Sequence, residues 1–217
     1  MFSGIFNYDN PVWRFIGKFF DVLILNVLWT VVSIPIFTAG AAATAVYYVL
    51  LKLVRDEEGS TVKSFFKSFK ENFKQATVIW LILLAAGAVL AFDLYFFLSL
   101  KTLGPALRAF FVAALLCLGA VYLCVSLYVF PLQAKFYNPV KRTLFNAFYM
   151  SLRHFFVTVT MMAIDIGFVA LVLFAAPFLQ PLLFLFGYPL IAFINSFFLV
   201  GVFDKYIPAE ESPDTEG

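Results

Sequence analysis

The sequence predicts an all-α, polytopic helical membrane protein with about six transmembrane helices and a cytoplasmic interfacial amphipathic helix. Three observations predict it. Of 217 residues, 63% are hydrophobic and 13% charged, whereas soluble domains carry about 25% charged residues. Apolar runs long enough to cross about 30 Å of hydrocarbon, at about 1.5 Å per residue, recur along the chain. The basic residues concentrate in alternate connections between those runs. Two cysteines are too few for a disulfide scaffold, and a net charge of +2 supplies no basic body to attract nucleic acid.

Each element then has its own justification, in chain order. The apolar stretch 19–53 is too long for one span and slightly short for two. Pro35 removes a helical hydrogen bond and Gly40 permits a reversal, so helices over about 19–34 and 40–54 are favoured over one kinked span. Trp13, two basic residues and the hydrophobic sequence that continues afterwards argue for a retained segment and against a secretion signal. In 61–75, TVKSFFKSFKENFKQ, Val62, Phe65, Phe66, Phe69 and Phe73 share one arc at 100° per residue, with the lysines opposite. This pattern predicts a helix lying on the cytoplasmic leaflet, its phenyl rings in the acyl boundary and its ammonium groups at the headgroups. Lys63, Phe66, Lys67, Phe69, Lys70, Phe73 and Lys74 are its candidate lipid or partner contacts.

Further spans are expected over about 76–100, 107–130, 155–178 and 182–203, with an uncharged outer turn around Pro177, Gln180 and Pro181. Six spans with a cytoplasmic amino terminus leave 13 of the 15 basic residues inside, with Lys101 and Arg108 outside; five spans give 11 against 4. The expectation is a single transmembrane domain, 1–207, in the cell membrane, with both termini cytoplasmic and a disordered polar tail over 208–217. Shifted by 79 residues, Lys63, Phe66, Phe69 and Lys74 align with Arg142, Phe145, Phe148 and Arg153. Likewise Asn10-Pro11-Val12-Trp13-Arg14 echoes Asn138-Pro139-Val140-Lys141-Arg142. Three repeated hairpins would give such matches, and so would shared interface constraints.

Few residues could carry chemistry. Asp165 falls near the middle of its span, where an ionised side chain costs roughly 2.5 to 3.5 kcal/mol. A partner hydrogen bond, protonation or a watery cavity must offset that. Asn26 and Asn195 also fall within spans, where amides hydrogen-bond across helices. Asp93 and Asp21 sit nearer span ends, within reach of headgroup water. Asp165, Asn26, Asn195 and Asp93 are the candidate intramembrane polar site, with structural bonding and a solute path both open. His154 reads as interfacial, and Cys117 and Cys124 as packing residues without a His or carboxylate at ligand spacing. Gly40 and Thr44, four apart among small residues, allow close helix contact. No GxxxxGK[ST], HExxH, GxSxG or paired CxxC motif occurs, so no catalytic, cofactor or metal residue is assigned and no cofactor is expected.

Leu25-Asn26-Val27-Leu28-Trp29, then SIPIFTAGAAATAVYYVLLKLVRDEEG over 33–59 and SFFKSFKENFKQAT over 64–77, resemble the YesL-like family of small bacterial integral membrane proteins. That family has no characterised biochemical role. The resemblance covers about the first 80 residues; the later helices match in hydropathy and layout only. It implies an association with carbohydrate uptake through ABC importers and carries over no catalytic or binding residue. Two functional expectations follow. The first is a non-enzymatic accessory or assembly protein of an oligosaccharide ABC importer, with importer subunits or a second copy as partners and the amphipathic helix and Arg55-Asp56-Glu57-Glu58 as its cytoplasmic contact surface, although a solvated turn explains the same charges more simply. The alternative is a small secondary transporter or channel-like protein built around Asp165, Asn26 and Asn195, with an intramembrane enzyme least favoured.

Overall fold

The structure, a computed structural model, describes residues 11–57, 59–100, 102–174 and 180–206. Among them all regular structure is helical. Helix α1 (Pro11–Val32) begins on a proline, whose missing N–H is harmless at a first helical position. It stops before Pro35, and the Thr38 hydroxyl donates to the carbonyls of Val32 and Pro35 across a short 3-10 turn, Ile36–Thr38. Helix α2 (Ala39–Val54) follows, so the long apolar stretch forms two helices.

Helix α2 occupies the centre, touching α1, α3, α4 and α7 as those are defined below, with 11 of its 16 residues buried. Its small residues explain that position, because neighbouring backbones can approach them closely. A Cβ on Gly40 would lie 2.3 Å from Trp80 Cβ and 2.7 Å from the Ala76 carbonyl oxygen. The Trp80 indole N–H donates to the Ile36 carbonyl at 2.7 Å, fixing the start of α2 against α3.

Helix α3 (Thr61–Ser99) is continuous over 39 residues. The expected interfacial helix 61–75 and span 76–100 are therefore one element, about 58 Å long at the standard rise. No Pro or Gly interrupts 61–86, and one buried stripe, Phe65, Ser68, Asn72, Ala76, Ile79 and Leu83, crosses the junction at steps of three and four. The phenyl arc consequently divides. Phe65 is fully buried in the protein core and Phe69 packs against it, so these rings are not free for lipid, whereas Phe66 and Val62 face outward.

Helix α4 (Pro105–Lys135) returns beside α3, with Phe97 stacked on Phe111 at 4.6 Å near the far end. Helix α5 (Val140–Arg153) is short and strongly amphipathic. It docks through a buried polar chain: Gln133 donates to Asn72 (3.2 Å) and Gln75 (2.8 Å), and the Thr143 hydroxyl donates to Gln133 Oε1 (3.1 Å). His154 separates α5 from α6 (Phe155–Phe174).

Helix α7 (Gln180–Phe203), which carries the expected span over about 182–203, is broken at Gly187, where φ is +43°. Pro189 cannot donate to the preceding turn and biases Tyr188 away from helical geometry, and only glycine tolerates that φ cheaply. By length and composition four helices can cross a membrane: Ile36–Val54, α3, α4 and α6. The unbroken part of α7, Gly187–Phe203, is shorter, and α1 carries Lys18 and Asp21 in its first half. The outer turn around Pro177 and the tail 208–217 lie outside the described residues.

One end of the bundle is held by charge. Lys18 pairs with Asp56 at 2.8 Å, Arg55 with Asp204, Lys52 with Glu57 at 3.9 Å, and the Thr61 hydroxyl donates to Asp21. These contacts draw together α1, the end of α2, the start of α3 and the end of α7, and define a basic end of the molecule.

Candidate functional site

Asp165 is the eleventh of the twenty residues of α6, about 15 Å from its basic end. Asn195 of α7 donates from Nδ2 to Asp165 Oδ1 at 2.8 Å. Asn195 is 1% exposed, and its own carbonyl oxygen has no hydrogen-bond partner among the described residues. That orphan acceptor costs free energy unless something donates to it.

Asp165 looks into a cavity of about 400 Å³ between α2, α4, α6 and α7. Tyr47, Ser126, Leu127, Phe130, Met162 and Tyr188 line it, with Leu123, Ile166 and Val169 at its rim, and among the described residues no Lys, Arg or His borders it. The three rim residues are about half exposed, so the cavity opens sideways between α4 and α6. The Ser126 hydroxyl donates to the Tyr122 carbonyl at 2.8 Å, which commits its proton and leaves its lone pairs free.

The break in α7 builds one wall. Tyr188, beside Gly187, stacks on Trp29 of α1 at 5.1 Å and meets Tyr47 of α2 edge-on at 6.2 Å. Asn26 of α1 fills the space that a side chain at Gly187 would need: a Cβ there would lie 2.5 Å from Asn26 Oδ1. Three of the four candidate polar residues thus converge on this region, Asp165 and Asn195 in direct contact and Asn26 against the break. Asp93 does not join them; it is half-buried on α3 toward the far end and does not line the cavity. Tyr47, Tyr188 and Trp29 were not singled out from the sequence, where tyrosines and tryptophans in apolar runs look like ordinary span residues; Gly187-Tyr188-Pro189 was the available signal.

At the basic end, Lys63, Lys67, Lys70 and Lys74 are exposed along α3, with Phe69 stacked on Phe65 and edge-on to Phe73. Arg55, Asp56 and Glu57 are engaged within the chain by the pairs described above, and Glu58 lies outside the described residues. His154 Nε2 lies 3.0 Å from the Tyr206 hydroxyl, and burial, followed by the nearby charges of Lys205 and Arg153, pushes its imidazolium below the usual range. Among the described residues no three His, Cys, Asp or Glu side chains gather as a metal ion would require.

The segment 22–94, from α1 through most of α3, matches the family described as protein of unknown function, DUF624. A Bacillus subtilis (strain 168) protein, "Uncharacterized protein YesL", is 26% identical over 159 residues, covering 71% of this chain and 73% of the relative. Over that length the chain is similar to YesL. Asn26, Trp29, Gly40 and Tyr47 fall inside the segment that matches this family, while Asp165, Tyr188 and Asn195 come from helices beyond it. No solved structure matches.

Proposed function

We propose that this YesL-like chain is a six-crossing membrane protein that holds a small solute in the cleft between α2, α4, α6 and α7. The observation that carries the reading is the Asp165–Asn195 pair facing a cavity of about 400 Å³ at mid-span depth. A carboxylate there is costly unless it is hydrated, protonated or liganded, and discontinuous helices such as α7 commonly form solute sites in transporters. The broken α7 and the charge-bearing α1 count as crossings in this reading, the basic end faces the cytoplasm, and the first turns of α3 project beyond the hydrocarbon as an extension of the span.

Hydration of the cleft tests it. In a chain with Cys117 and Cys124 replaced by Ala, a cysteine introduced at Met162 should react with a small methanethiosulfonate much faster than one at lipid-facing Leu173. Equal, slow rates would mean a dry packing gap and would remove the solute-binding reading.

A second reading, an accessory subunit of a carbohydrate ABC importer, draws support from α5. It turns Phe145, Tyr149 and Leu152 outward beside Arg142 and Arg153, a face suited to headgroups or to a partner at the basic end. Co-purification of importer subunits from native membranes in mild detergent supports that role, and their absence removes it.

A further inference from the structure

We propose that the occupant of the cleft is a lipophilic monocation, an ammonium group carried on an apolar body, with its nitrogen against Asp165. This rests on the solute-binding reading above and adds the chemical class of the solute. Acceptor atoms gather at this point, with the hydroxyls of Tyr47 and Tyr188 as its neutral donors. Asp165 Oδ1 already accepts from Asn195, leaving the rest of the carboxylate's acceptor capacity toward the cavity. The Asn195 carbonyl, buried beside it, has no partner among the described residues, and Ser126 has spent its proton on the Tyr122 carbonyl. An ammonium adds further donors and what the tyrosine hydroxyls cannot give, a charge opposite to that of the carboxylate.

Charge points the same way. Among the described residues no basic side chain lines the cavity, so an ionised Asp165 meets no counter-charge from them, and an anionic solute would add repulsion. A single carboxylate matches a single positive charge; Asp93, which could have supplied a second, lies elsewhere. The rings of Tyr47, Phe130 and Tyr188 border the same space, and aromatic rings favour cations in dry surroundings. The remaining walls are aliphatic, and the mouth faces sideways between α4 and α6, so an apolar body can enter along the plane of the bilayer.

The experiment compares two radiolabelled probes, 4-butylbenzylammonium and its neutral counterpart 4-butylbenzyl alcohol, on the full chain in phosphatidylcholine nanodiscs, with empty nanodiscs subtracted. The ammonium should bind saturably and about ten-fold or more tighter than the alcohol. Asp165→Asn, which keeps an amide in place to face Asn195, should weaken the ammonium by about ten-fold or more and leave the alcohol within about two-fold. Ile166→Trp, which narrows the mouth without changing charge, should weaken both, and an unaltered gel-filtration profile shows that each variant is folded. Equal binding of the two probes, or ammonium binding indifferent to Asp165→Asn, overturns the monocation while leaving a solute cleft intact. Absence of saturable binding by the ammonium, in a chain whose Met162 cysteine reacts as a hydrated site, also overturns the monocation. If that cysteine is unreactive as well, the solute-binding reading falls with it.

Discussion

Asp165 was legible as an oddity because an acid among Met161, Ala163, Ile164 and Ile166 has no cheap resting state in lipid. Its partner was less so: Asn195 stands 30 residues away on another helix, and single-sequence periodicity gives no register between helices. Tyr47 and Tyr188 were invisible as site residues, since their role comes from where α2 and α7 cross. His154 shows what a single residue can report. Burial and the charges of Lys205 and Arg153 disfavour its protonated form in the folded chain, so as pH falls the unfolded state takes up the proton first. Stability is then fully present above the unfolded value of about 6.5 and declines as pH falls through that value toward the lower folded one. Thermal melting in detergent should therefore drop between about pH 7.5 and 5.5. His154→Gln should flatten that drop, and an unchanged slope would show that the imidazole is not its source.

The helices themselves were mostly where hydropathy put them, because length against bilayer thickness is a strong constraint. The exceptions are instructive. Hydropathy separated 61–75 from 76–100 at the last lysine, but hydrogen bonding and the buried stripe ignore that boundary, so α3 runs through it. In α7 the reverse holds: a uniformly apolar run conceals a backbone break that only Gly187 and Pro189 betray. The break and Asn26 are coupled by contact, since a methyl at Gly187 would meet Asn26 Oδ1. Gly187→Ala should destabilise the chain by about 1 to 3 kcal/mol through strained φ and overpacking. Adding Asn26→Ala should recover part of that loss by vacating the space. Thermal denaturation of both single variants and the double variant measures the coupling; strictly additive losses would show that Asn26 does not press on the break.

Across the whole molecule, the ion pairs that join α1, α2 and α7 gather the basic residues at one end, and positive charge in such connections favours the cytoplasm. In a chain lacking Cys117 and Cys124, a cysteine at Lys67 should resist a membrane-impermeant maleimide applied to intact cells and react once they are permeabilised. A cysteine at Thr102 should react without permeabilisation. The opposite pattern would invert the molecule. Arg55-Asp56-Glu57 reads in the sequence as part of a contact surface, yet Arg55 and Asp56 reach Asp204 and Lys18, distant in sequence; sequence order alone does not reveal such closures.

The central position of α2 reaches back to synthesis. In the apolar window of Ile36–Val54 67% of residues are buried by the rest of the chain, against none in the apolar window of α4, whose buried residues lie in its last turns. A helix whose first seven residues are alanines, glycine and threonine offers acyl chains little to hold there, and its contacts with α7 come only once α7 itself has been made. Until then it must be sheltered by the insertion machinery or by α1 and α3. A truncation before α7 would bare the face of α2 that packs against it.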